Sequence, residues 1–205
     1  MKRSEGTPVS APGTELFQRL DLTSKAPYSI DEYIRRTLWE LTQATLFRWS
    51  PKRASRWRRA LLRAFGGDIH ATAIVRRTAR VQHPWLLSMG AHSAIGEEVL
   101  VYNLGPICVG EHSVVSQRVH LCAGTHDYRR IDLPLVRSSI TIGRGVWICA
   151  DAFIGPGVSV GDNALVGAAS VAVKDVPSGM IVAGNPARAI RPRPSPTPAD
   201  RGEPS

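Results

Sequence analysis

The residue of this sequence best placed to do chemistry is a histidine where a regular repeat is interrupted. His126 follows Gly124 and Thr125 and precedes Asp127, at the start of a polar stretch that runs to Pro134. Histidine gains and loses a proton near neutral pH, so it is the usual side chain for moving protons in catalysis. Segments that project from a regular scaffold are also where sites are commonly built. The position of His126 therefore makes it the first candidate for a catalytic residue.

The interruption is recognisable because an aliphatic residue recurs every six positions on both sides of it. Before the break, with two slips of register, the period is carried by Ile69, Val75, Val81, Leu87, Ile95, Val101, Val109, Val115 and Leu121. After the break it is carried by Ile142, Ile148, Ile154, Val160 and Val166. Glycine often follows the aliphatic residue, as at Gly110, Gly143 and Gly155. Helices repeat near 3.6 residues and strands near 2, so a period of six indicates neither.

A parallel β-helix of hexapeptide repeats does have this period. Each hexad forms one flat side of a triangular coil, with the aliphatic residue pointing inward and the glycine fitting tight backbone near the corner. Stacked coils then bury a continuous core that one coil could not bury alone. The sequence therefore predicts a mainly β fold, a left-handed parallel β-helix over residues 67–191, with a projecting loop at 124–139.

Two α-helices are predicted before the β-helix, in residues 28–66. Ser29 and Glu32 form a capping box for the first helix, and Ser50-Pro51 is a cap and first-turn pair for the second. In the first helix the apolar residues recur at helical spacing, at Ile34, Leu38 and Leu41. In the second, one face carries Trp57, Leu61, Ala64 and Phe65, opposite a face dense in arginine. We expect these helices to cover the N-terminal end of the stack, whose strand edge would otherwise be unpaired.

The two ends of the sequence have a composition typical of flexible chain. Residues 1–27 are mixed and polar, and residues 192–205 form a Pro-rich tail. The three cysteines form no CxxC pair, so a disulfide framework or zinc knuckle is not expected. No run of eighteen apolar residues predicts a membrane-spanning helix. These features favour a protein of the reducing cytoplasm.

Most of the positive charge lies in one short segment. Residues 31–65 hold nine Lys and Arg against three Asp and Glu, which is two thirds of the net charge of +9. The β-helix itself is nearly neutral, which argues against a nucleic-acid-binding face on it. The basic segment is either a solvated helix face or a contact with an anionic membrane surface.

Three segments together resemble the hexapeptide acyltransferases: Gly124-Thr125-His126-Asp127, Ile142-Gly143-Arg144-Gly145-Val146-Trp147-Ile148, and Ala183-Gly184-Asn185-Pro186-Ala187-Arg188. Within them the chain is most similar to the sugar O-acetyltransferases of nodulation, galactoside and maltose type. The stretch around Trp39 and from Trp57 to Gly66 is similar to the colanic-acid-type acetyltransferases of exopolysaccharide gene clusters. The resemblance covers roughly residues 28–192.

The resemblance implies the reaction and the first site residues. It implies acetyl-CoA as donor, a sugar or lipid-linked sugar as acceptor, no metal, and a homotrimer with sites between neighbouring subunits. His126 matches the catalytic base, which the chemistry needs because a sugar hydroxyl is too weakly acidic to attack a thioester unaided. Asn103 matches an asparagine that orients the acceptor or the base.

The resemblance also implies a donor-binding set: Trp147, Ala150, Ala168, Lys174, Arg188 and Arg191. Trp147 matches a tryptophan beside the acetyl and pantetheine path, although it would also suit a subunit interface. The two arginines would meet the CoA phosphates, since a guanidinium suits phosphate oxygens. Backbone N–H groups near Ala150 would stabilise the developing oxyanion.

Other functions remain open to a β-helix of this kind. A γ-type carbonic anhydrase needs three histidines that converge on zinc, yet no histidine follows His126. A non-enzymatic scaffold would show an unbroken repeat without a loop histidine. A serine or antibiotic O-acetyltransferase shares the fold, and only the resemblance of the helices and loop favours a glycan acceptor.

Overall fold

The computed structural model describes residues 18–23 and 28–195 of the 205-residue chain. The parts of the predicted flexible N-terminus and tail at 1–17, 24–27 and 196–205 lie outside the described residues.

The first helix, α1 (Ile30–Thr42), begins where the capping box predicted. The Ser29 hydroxyl accepts a hydrogen bond from the Glu32 N–H at 3.3 Å, and the helix runs on into a π-helical turn, Gln43–Phe47. Trp39 is the buried residue of α1. The apolar residues at helical spacing face solvent instead, so this helix turns an apolar stripe outward.

The second helix, α2 (Ser55–Ala64), starts later than the Ser50-Pro51 pair predicted. Ser50 is buried because its hydroxyl accepts a hydrogen bond from Arg58 at 2.9 Å. The predicted packed face is also wrong in part: Arg58 and Leu62 are the buried residues, whereas Trp57 is about half exposed. No helix within the described ranges combines the length and apolarity needed to cross a bilayer.

The rest of the chain is a succession of short strands. In order they are β1 (Asp68–Ile69), β2 (Ile74–Val75), β3 (Arg80–Val81), β4 (Leu87–Met89), β5 (Ala94–Ile95), β6 (Leu100–Tyr102), β7 (Ile107–Val109), β8 (Val114–Val115), β9 (His120–Cys122), β10 (Gly124–His126), β11 (Leu135–Arg137), β12 (Ile140–Ile142), β13 (Trp147–Ile148), β14 (Phe153–Ile154), β15 (Ser159–Val160), β16 (Leu165–Val166), β17 (Val171–Ala172), β18 (Met180–Ala183) and β19 (Arg188–Pro192).

These strands form three parallel sheets, one for each side of a triangular coil. The first face is β1-β4-β7-β12-β15, the second is β2-β5-β8-β13-β16-β18, and the third is β3-β6-β9-β14-β17. Each coil takes one strand from each sheet, which confirms the parallel β-helix of the sequence prediction. β10 and β11 pair antiparallel as a separate hairpin and form the projecting loop.

The core is the column of aliphatic residues that carries the period of six. Val75, Ile95, Val115, Ile148 and Val166 are successive register partners on the second face, and all are 0% exposed. Burial of each such side chain is worth about 1.5–3 kcal/mol. The residues that repeat every six positions in the sequence are therefore the ones that form one continuous core.

Glycine follows the core residue for a different reason from the one predicted. A Cβ on Gly110 would overlap the carbonyl of Gly143 in the next coil. The left-handed backbone lies two positions later, at His112, where φ is +57°. Close stacking between coils, rather than the corner angle, therefore requires glycine at this position.

The arginine-rich face of α2 closes the N-terminal end of the stack. The first coil has no coil before it to donate to its outward-facing carbonyls. Arg58 Nε donates to the carbonyl of Val75 at 2.7 Å, Arg59 to that of Ala73 at 2.9 Å, and Arg63 to that of Ile69. Trp39 Nε1 in α1 completes the set at the carbonyl of Val81, at 2.7 Å. Side-chain donors thus replace the missing strand.

The C-terminal end is closed by backbone. β19 folds back antiparallel on β18 and continues to Pro192, past the predicted domain end at Arg191. Arg193 then donates to the carbonyls of Gly145 at 2.9 Å and Ala164 at 3.2 Å. The first residues of the predicted tail are therefore part of the β-helix surface.

Candidate active site

His126 ends strand β10 and is exposed next to the turn of the projecting hairpin, opposite Leu135. Its Nδ1 lies 2.8 Å from the carbonyl oxygen of Leu133. Because a carbonyl can only accept, Nδ1 carries the proton, and in the neutral ring Nε2 keeps a free lone pair. Nε2 has no partner among the described residues. This is the state in which an imidazole accepts a proton from a bound hydroxyl.

The backbone around His126 is held by the turn of the same hairpin. Leu133 has φ of +44°, an uncommon value for a residue with a side chain, and it supplies the carbonyl that His126 contacts. Asp127 caps the turn, since its Oδ1 accepts from the Arg129 N–H at 3.0 Å. The Asp127 carboxylate therefore serves the turn and does not orient the imidazole.

A short segment from the N-terminus supports this hairpin from outside. Within residues 18–23 the Arg19 N–H donates to the carbonyl of Ile131 at 2.7 Å, and the Thr23 hydroxyl donates to that of Asp132 at 2.7 Å. These contacts join parts of the chain more than one hundred residues apart. This piece of the segment predicted to be flexible thus packs against the loop beside His126.

A cavity of about 590 Å³ opens beside the imidazole. It is lined by Thr23, Tyr28, Tyr102, Leu104, His126, Asp132, Pro134, Leu135 and Arg137. Its polar groups are two phenols, the Thr23 hydroxyl, the Asp132 carboxylate, one guanidinium and the imidazole. Aromatic rings and convergent hydrogen-bonding groups suit a small polar ligand such as a sugar.

Two tyrosines give this cavity its aromatic walls. The Tyr28 ring lies between the guanidinium groups of Arg36 and Arg137, whose Cζ atoms are 4.2 and 4.8 Å from its centroid. Arg137 also lies 3.9 Å from Glu32 of α1. Burial raises the pKa of the Tyr102 hydroxyl above its ordinary value, so it stays a neutral donor and acceptor at neutral pH.

The structure places Asn103 in the core and away from the cavity wall. It is 0% exposed, its Oδ1 accepts from the His83 N–H at 2.9 Å, and its Nδ2 donates to the His83 carbonyl. Its neighbours Tyr102 and Leu104 both line the cavity. Asn103 therefore fixes the segment that carries two cavity residues.

His120 lies on the outer side of the third face, packed edge-on against Tyr102 and Phe153. Its buried Nε2 has no hydrogen-bond partner in the described part of the chain. Burial lowers the pKa of His120 below its ordinary value. It packs behind Tyr102 and does not line the cavity.

Trp147 lies on the second face, beside a separate cavity of about 470 Å³. The indole is about half exposed and its Nε1 donates to the Ser116 hydroxyl at 3.0 Å. This cavity is lined by His112, Val114, Ser116, Gly145, Val146, Trp147 and Arg193. An apolar wall with a cation at one side suits a ligand that has both an apolar arm and anionic groups.

The other predicted donor residues lie around the upper coils. Ala150 and Ala168 occupy the same corner of successive coils, linked by the Ala169 N–H that donates to the Ala150 carbonyl at 2.9 Å. Lys174, Arg188 and Arg191 are exposed. Arg188 and Arg191 lie on β19, in the same sheet as Trp147, whereas Lys174 follows β17 on the third face.

The structure therefore does not bring the predicted residues together at one site, and His126 and Trp147 line separate cavities. The cavity beside His126 and the cavity beside Trp147 have no lining residue in common. Within residues 18–23 and 28–195, no three His, Cys, Asp or Glu side chains come together as a metal site.

Several site residues were missed from the sequence, for identifiable reasons. Tyr102 could have been found, because Val101 is the core residue of its hexad and the next residue in a strand points outward. Arg193 was assigned to the tail. Tyr28 and Arg137 had no signal, since they meet only through the fold.

Comparison with known proteins decides the family. No family model matches the chain. Over 160 residues it is 41% identical to WcaF of Escherichia coli strain K12, a protein named for acetyl transfer in colanic acid biosynthesis. That match covers 78% of this chain and 88% of WcaF. The chain belongs to the hexapeptide-repeat acetyltransferases, in the sugar O-acetyltransferase group.

Two further relatives place this acetyltransferase among proteins of the same kind. It is 33% identical over 128 residues to the galactoside O-acetyltransferase of Escherichia coli strain K12, covering 58% of this chain and 63% of that protein. A hexapeptide-repeat acetyltransferase of Vibrio cholerae, solved with acetyl coenzyme A, superimposes with a TM-score of 0.73 at 26% identity. The superposition covers 86% of this acetyltransferase and 96% of that chain.

Proposed function

We propose that this acetyltransferase moves the acetyl group of acetyl-CoA to a sugar hydroxyl, with His126 as the general base. The observation that carries the proposal is the hydrogen bond from His126 Nδ1 to the Leu133 carbonyl, which leaves Nε2 free beside the cavity. The chemistry belongs to the β-helix of residues 67–191 with its loop at 124–139, and the helices of residues 28–66 close its end.

The proton path in this proposal is short. His126 Nε2 accepts the proton of the acceptor hydroxyl as that oxygen attacks the acetyl carbonyl carbon. The Leu133 carbonyl then stabilises the imidazolium, because it remains hydrogen-bonded to the Nδ1 proton. The same Nε2 proton passes to the sulfur of the departing CoA. A positioned general base of this kind is worth about 10²–10⁴-fold in rate.

The acceptor would occupy the cavity beside His126. Tyr102 offers aromatic surface for a sugar ring, and the hydroxyls of Tyr28 and Tyr102 offer hydrogen bonds to its polar edge. We propose that Asn103 supports this wall by holding the Tyr102–Leu104 segment to the backbone of His83. Its part is positioning, since its own amide is already hydrogen-bonded.

The donor would lie along the second face, beside Trp147. The cavity there has an apolar side at Val114 and Trp147 and a cationic side at Arg193, which fits the pantetheine arm and phosphates of CoA. Arg188, Arg191 and Lys174 add exposed cations farther along the stack. Acetyl-CoA would supply the activated acetyl group. The N–H groups of Ala150 and Ala168 donate to no described residue, so they are free to meet a carbonyl oxygen.

We propose that the complete site forms between copies in a homotrimer. In a single chain the base and the donor cavity lie on different faces. The outward residues of the second face are apolar from coil to coil, as at Ile74, Val114 and Trp147, whereas those of the first face include Asp68 and Thr141. An exposed apolar column of this kind is typical of a subunit interface.

The biological setting we propose is exopolysaccharide or related glycan biosynthesis at the cytoplasmic side of a membrane. WcaF, the relative with 41% identity, carries that pathway in its name. The acceptor is then a free or lipid-linked sugar, and a serine or antibiotic acceptor becomes the less favoured case.

The experiment is a mass-spectrometric screen of sugars and lipid-linked sugars incubated with the protein and acetyl-CoA. The proposal expects one acceptor class to gain a single acetyl group while free CoA thiol appears in equal amount. A His126→Ala variant gives the background rate. If only serine or an aminoglycoside-like or phenolic antibiotic is acetylated, the sugar assignment is wrong.

A further inference from the structure

Helix α1 exposes an apolar stripe on the side that faces away from the β-helix. Ile30, Ile34, Leu38 and Leu41 are 78%, 55%, 54% and 61% exposed. Their spacing of four, four and three residues puts them on one face of the helix. Trp39, which is 0% exposed and hydrogen-bonded to the first coil, lies on the other side. The stripe therefore has no partner within the described chain.

Further exposed apolar residues, including two tryptophans, follow the stripe along the chain. Trp49 follows the π-helical turn and is 82% exposed, and Leu46 in that turn is 54% exposed. Trp57 of α2 lies beside Leu46, because its Nε1 donates to the Leu46 carbonyl at 3.0 Å. Exposed tryptophan, with an apolar body and one polar N–H, is the residue that accumulates at membrane–water interfaces.

Basic side chains surround this apolar surface. Arg48, Lys52, Arg53 and Arg56 are all exposed, and none forms an ion pair or hydrogen bond with a described residue through its side chain. This sets them apart from Arg58, which is buried and used to close the stack. Closing the N-terminal end of the stack therefore accounts for only part of the positive charge of residues 31–65.

A cationic groove joins this basic surface to the first coil. It has a volume of about 580 Å³, and Arg48, Arg77 and Arg80 line it against a single acid, Glu40. None of these arginines forms an ion pair within the described residues. The groove thus has the size and charge to hold an anionic head group such as a phosphate.

We propose that this end of the molecule docks on an anionic membrane surface. The surface consists of the stripe Ile30–Leu41, Leu46 and Trp49, and the basic residues Arg48–Arg56. The apolar side chains would enter the headgroup region while the bases meet lipid phosphates. A second copy of the chain is disfavoured as the occupant, because it would bring the same unpaired bases together. A lipid surface has the complementary charge.

The docking surface also adjoins the cavity beside His126, which holds the acceptor if the proposed function is right. Tyr28, in the cavity wall, precedes the stripe by two residues, and Glu32 of α1 pairs with Arg137, which lines the cavity beside Tyr28. Docking would therefore hold the cavity next to the membrane, where lipid-linked sugars reside.

The test uses the full-length protein with vesicles of phosphatidylcholine alone or mixed with phosphatidylglycerol. Co-sedimentation should show binding to the anionic vesicles only, and added salt should weaken it because exposed charges are screened. Brominated lipid should quench tryptophan fluorescence, and Trp49→Phe should lose most of that quenching. No acceptor is needed, so failure here and failure of acetyl transfer are separate results.

Paired variants divide the apolar and electrostatic contributions. Leu38→Glu with Leu41→Glu should abolish vesicle binding, whereas Ile190→Glu, which changes an exposed residue at the other end, should not. Lys52→Ala with Arg53→Ala should lower the partition constant about thirtyfold, roughly fivefold for each base near an anionic surface. Arg118→Ala with Arg144→Ala removes equal charge from the middle of the stack and should change it far less.

Either of two results would overturn the proposal: wild-type protein that does not bind anionic vesicles, or variants that all bind them as well as the wild type. If the wild type does not bind and the Leu38→Glu, Leu41→Glu variant also has a lower oligomeric mass in light scattering, the stripe is a contact between copies of the chain.

Discussion

The two cavities of this acetyltransferase differ in how they are built. The cavity beside Trp147 is part of the regular stack, with walls from successive coils of the second face and from Arg193. The cavity beside His126 is made where the stack is interrupted, from the hairpin, Thr23, Tyr28 and the segment that carries Tyr102 and Leu104. In the proposed function the regular part would hold the donor and the irregular part would hold the acceptor.

In the proposed function, this difference means that the chemistry depends on joining two surfaces. His126 and the Trp147 cavity lie on different faces of the β-helix, so the proposal requires two copies of the chain to bring base and donor together. Variants on each side should therefore fail in different ways.

Loss of the base should have the largest effect. His126→Ala should lower kcat at least about a hundredfold, because the other basic group in the lining, the Asp132 carboxylate, is already paired with Arg130. Acetyl-CoA binding, measured by calorimetry, should be unchanged. His70→Ala, an exposed histidine at the far end of the stack, is the matched control and should keep full activity. Near-normal turnover of His126→Ala would defeat the base assignment.

Loss of the Trp147 indole should weaken the binding of acetyl-CoA instead of slowing the chemical step. Trp147→Ala should raise the KM for acetyl-CoA about tenfold, or about 1.4 kcal/mol, because the pantetheine arm loses most of its apolar contact with the indole. The KM for the acceptor should stay near the wild-type value in steady-state kinetics. Val173→Ala, another exposed apolar residue, should change neither constant. A rise confined to the acceptor KM would contradict the division of roles.

Loss of one hydroxyl in the acceptor cavity should have a smaller effect. Tyr102→Phe keeps the aromatic wall and removes one hydrogen bond, worth about 0.5–1.5 kcal/mol. The acceptor KM should rise about fivefold while the KM for acetyl-CoA is unchanged. An unchanged acceptor KM would place the sugar away from Tyr102.

The smallest expected effect concerns stability and pH. Burial lowers the pKa of His120 in the folded protein, so below about pH 6.5 the unfolded chain binds the proton more readily. The free energy of unfolding should therefore fall as pH falls below that value. In urea unfolding His120→Leu should make the fall shallower. Burial also lowers the pKa of His83, so His83 would still make the free energy of unfolding fall in part as pH falls. An equal slope in the variant would show that His120 contributes nothing.

The sequence predicted the stack well because a period of six residues indicates a hexapeptide β-helix and fits neither an α-helix nor a simple alternating strand. Each core position, such as Ile148, lies directly above its partner in the previous coil, and glycines such as Gly110 mark the close approach of coils. These are local and repeating constraints, so a single sequence displays them. His126 was found because it lies where the period of six is interrupted.

The sequence could not predict features that depend on contacts between distant segments. The arginines of α2 have the spacing of a solvated face, but the unpaired carbonyls of the first coil draw Arg58 and Arg63 inward. The contact of Thr23 with Asp132 and the meeting of Tyr28 with Arg137 have no local signal. These contacts form much of the cavity beside His126, which is why Tyr28 and Arg137 were missed.

Complementation between inactive chains tests the shared site most directly. His126→Ala and a donor-defective Trp147→Glu variant would be unfolded together, refolded as mixed oligomers and assayed for CoA release. In the proposed homotrimer, each site takes His126 from one copy and Trp147 from its neighbour. Half of the copies have an intact His126 and the other half an intact Trp147, so about a quarter of the interfaces regain both residues. The account therefore predicts about a quarter of wild-type activity. A mixture as inactive as its two parents would contradict it.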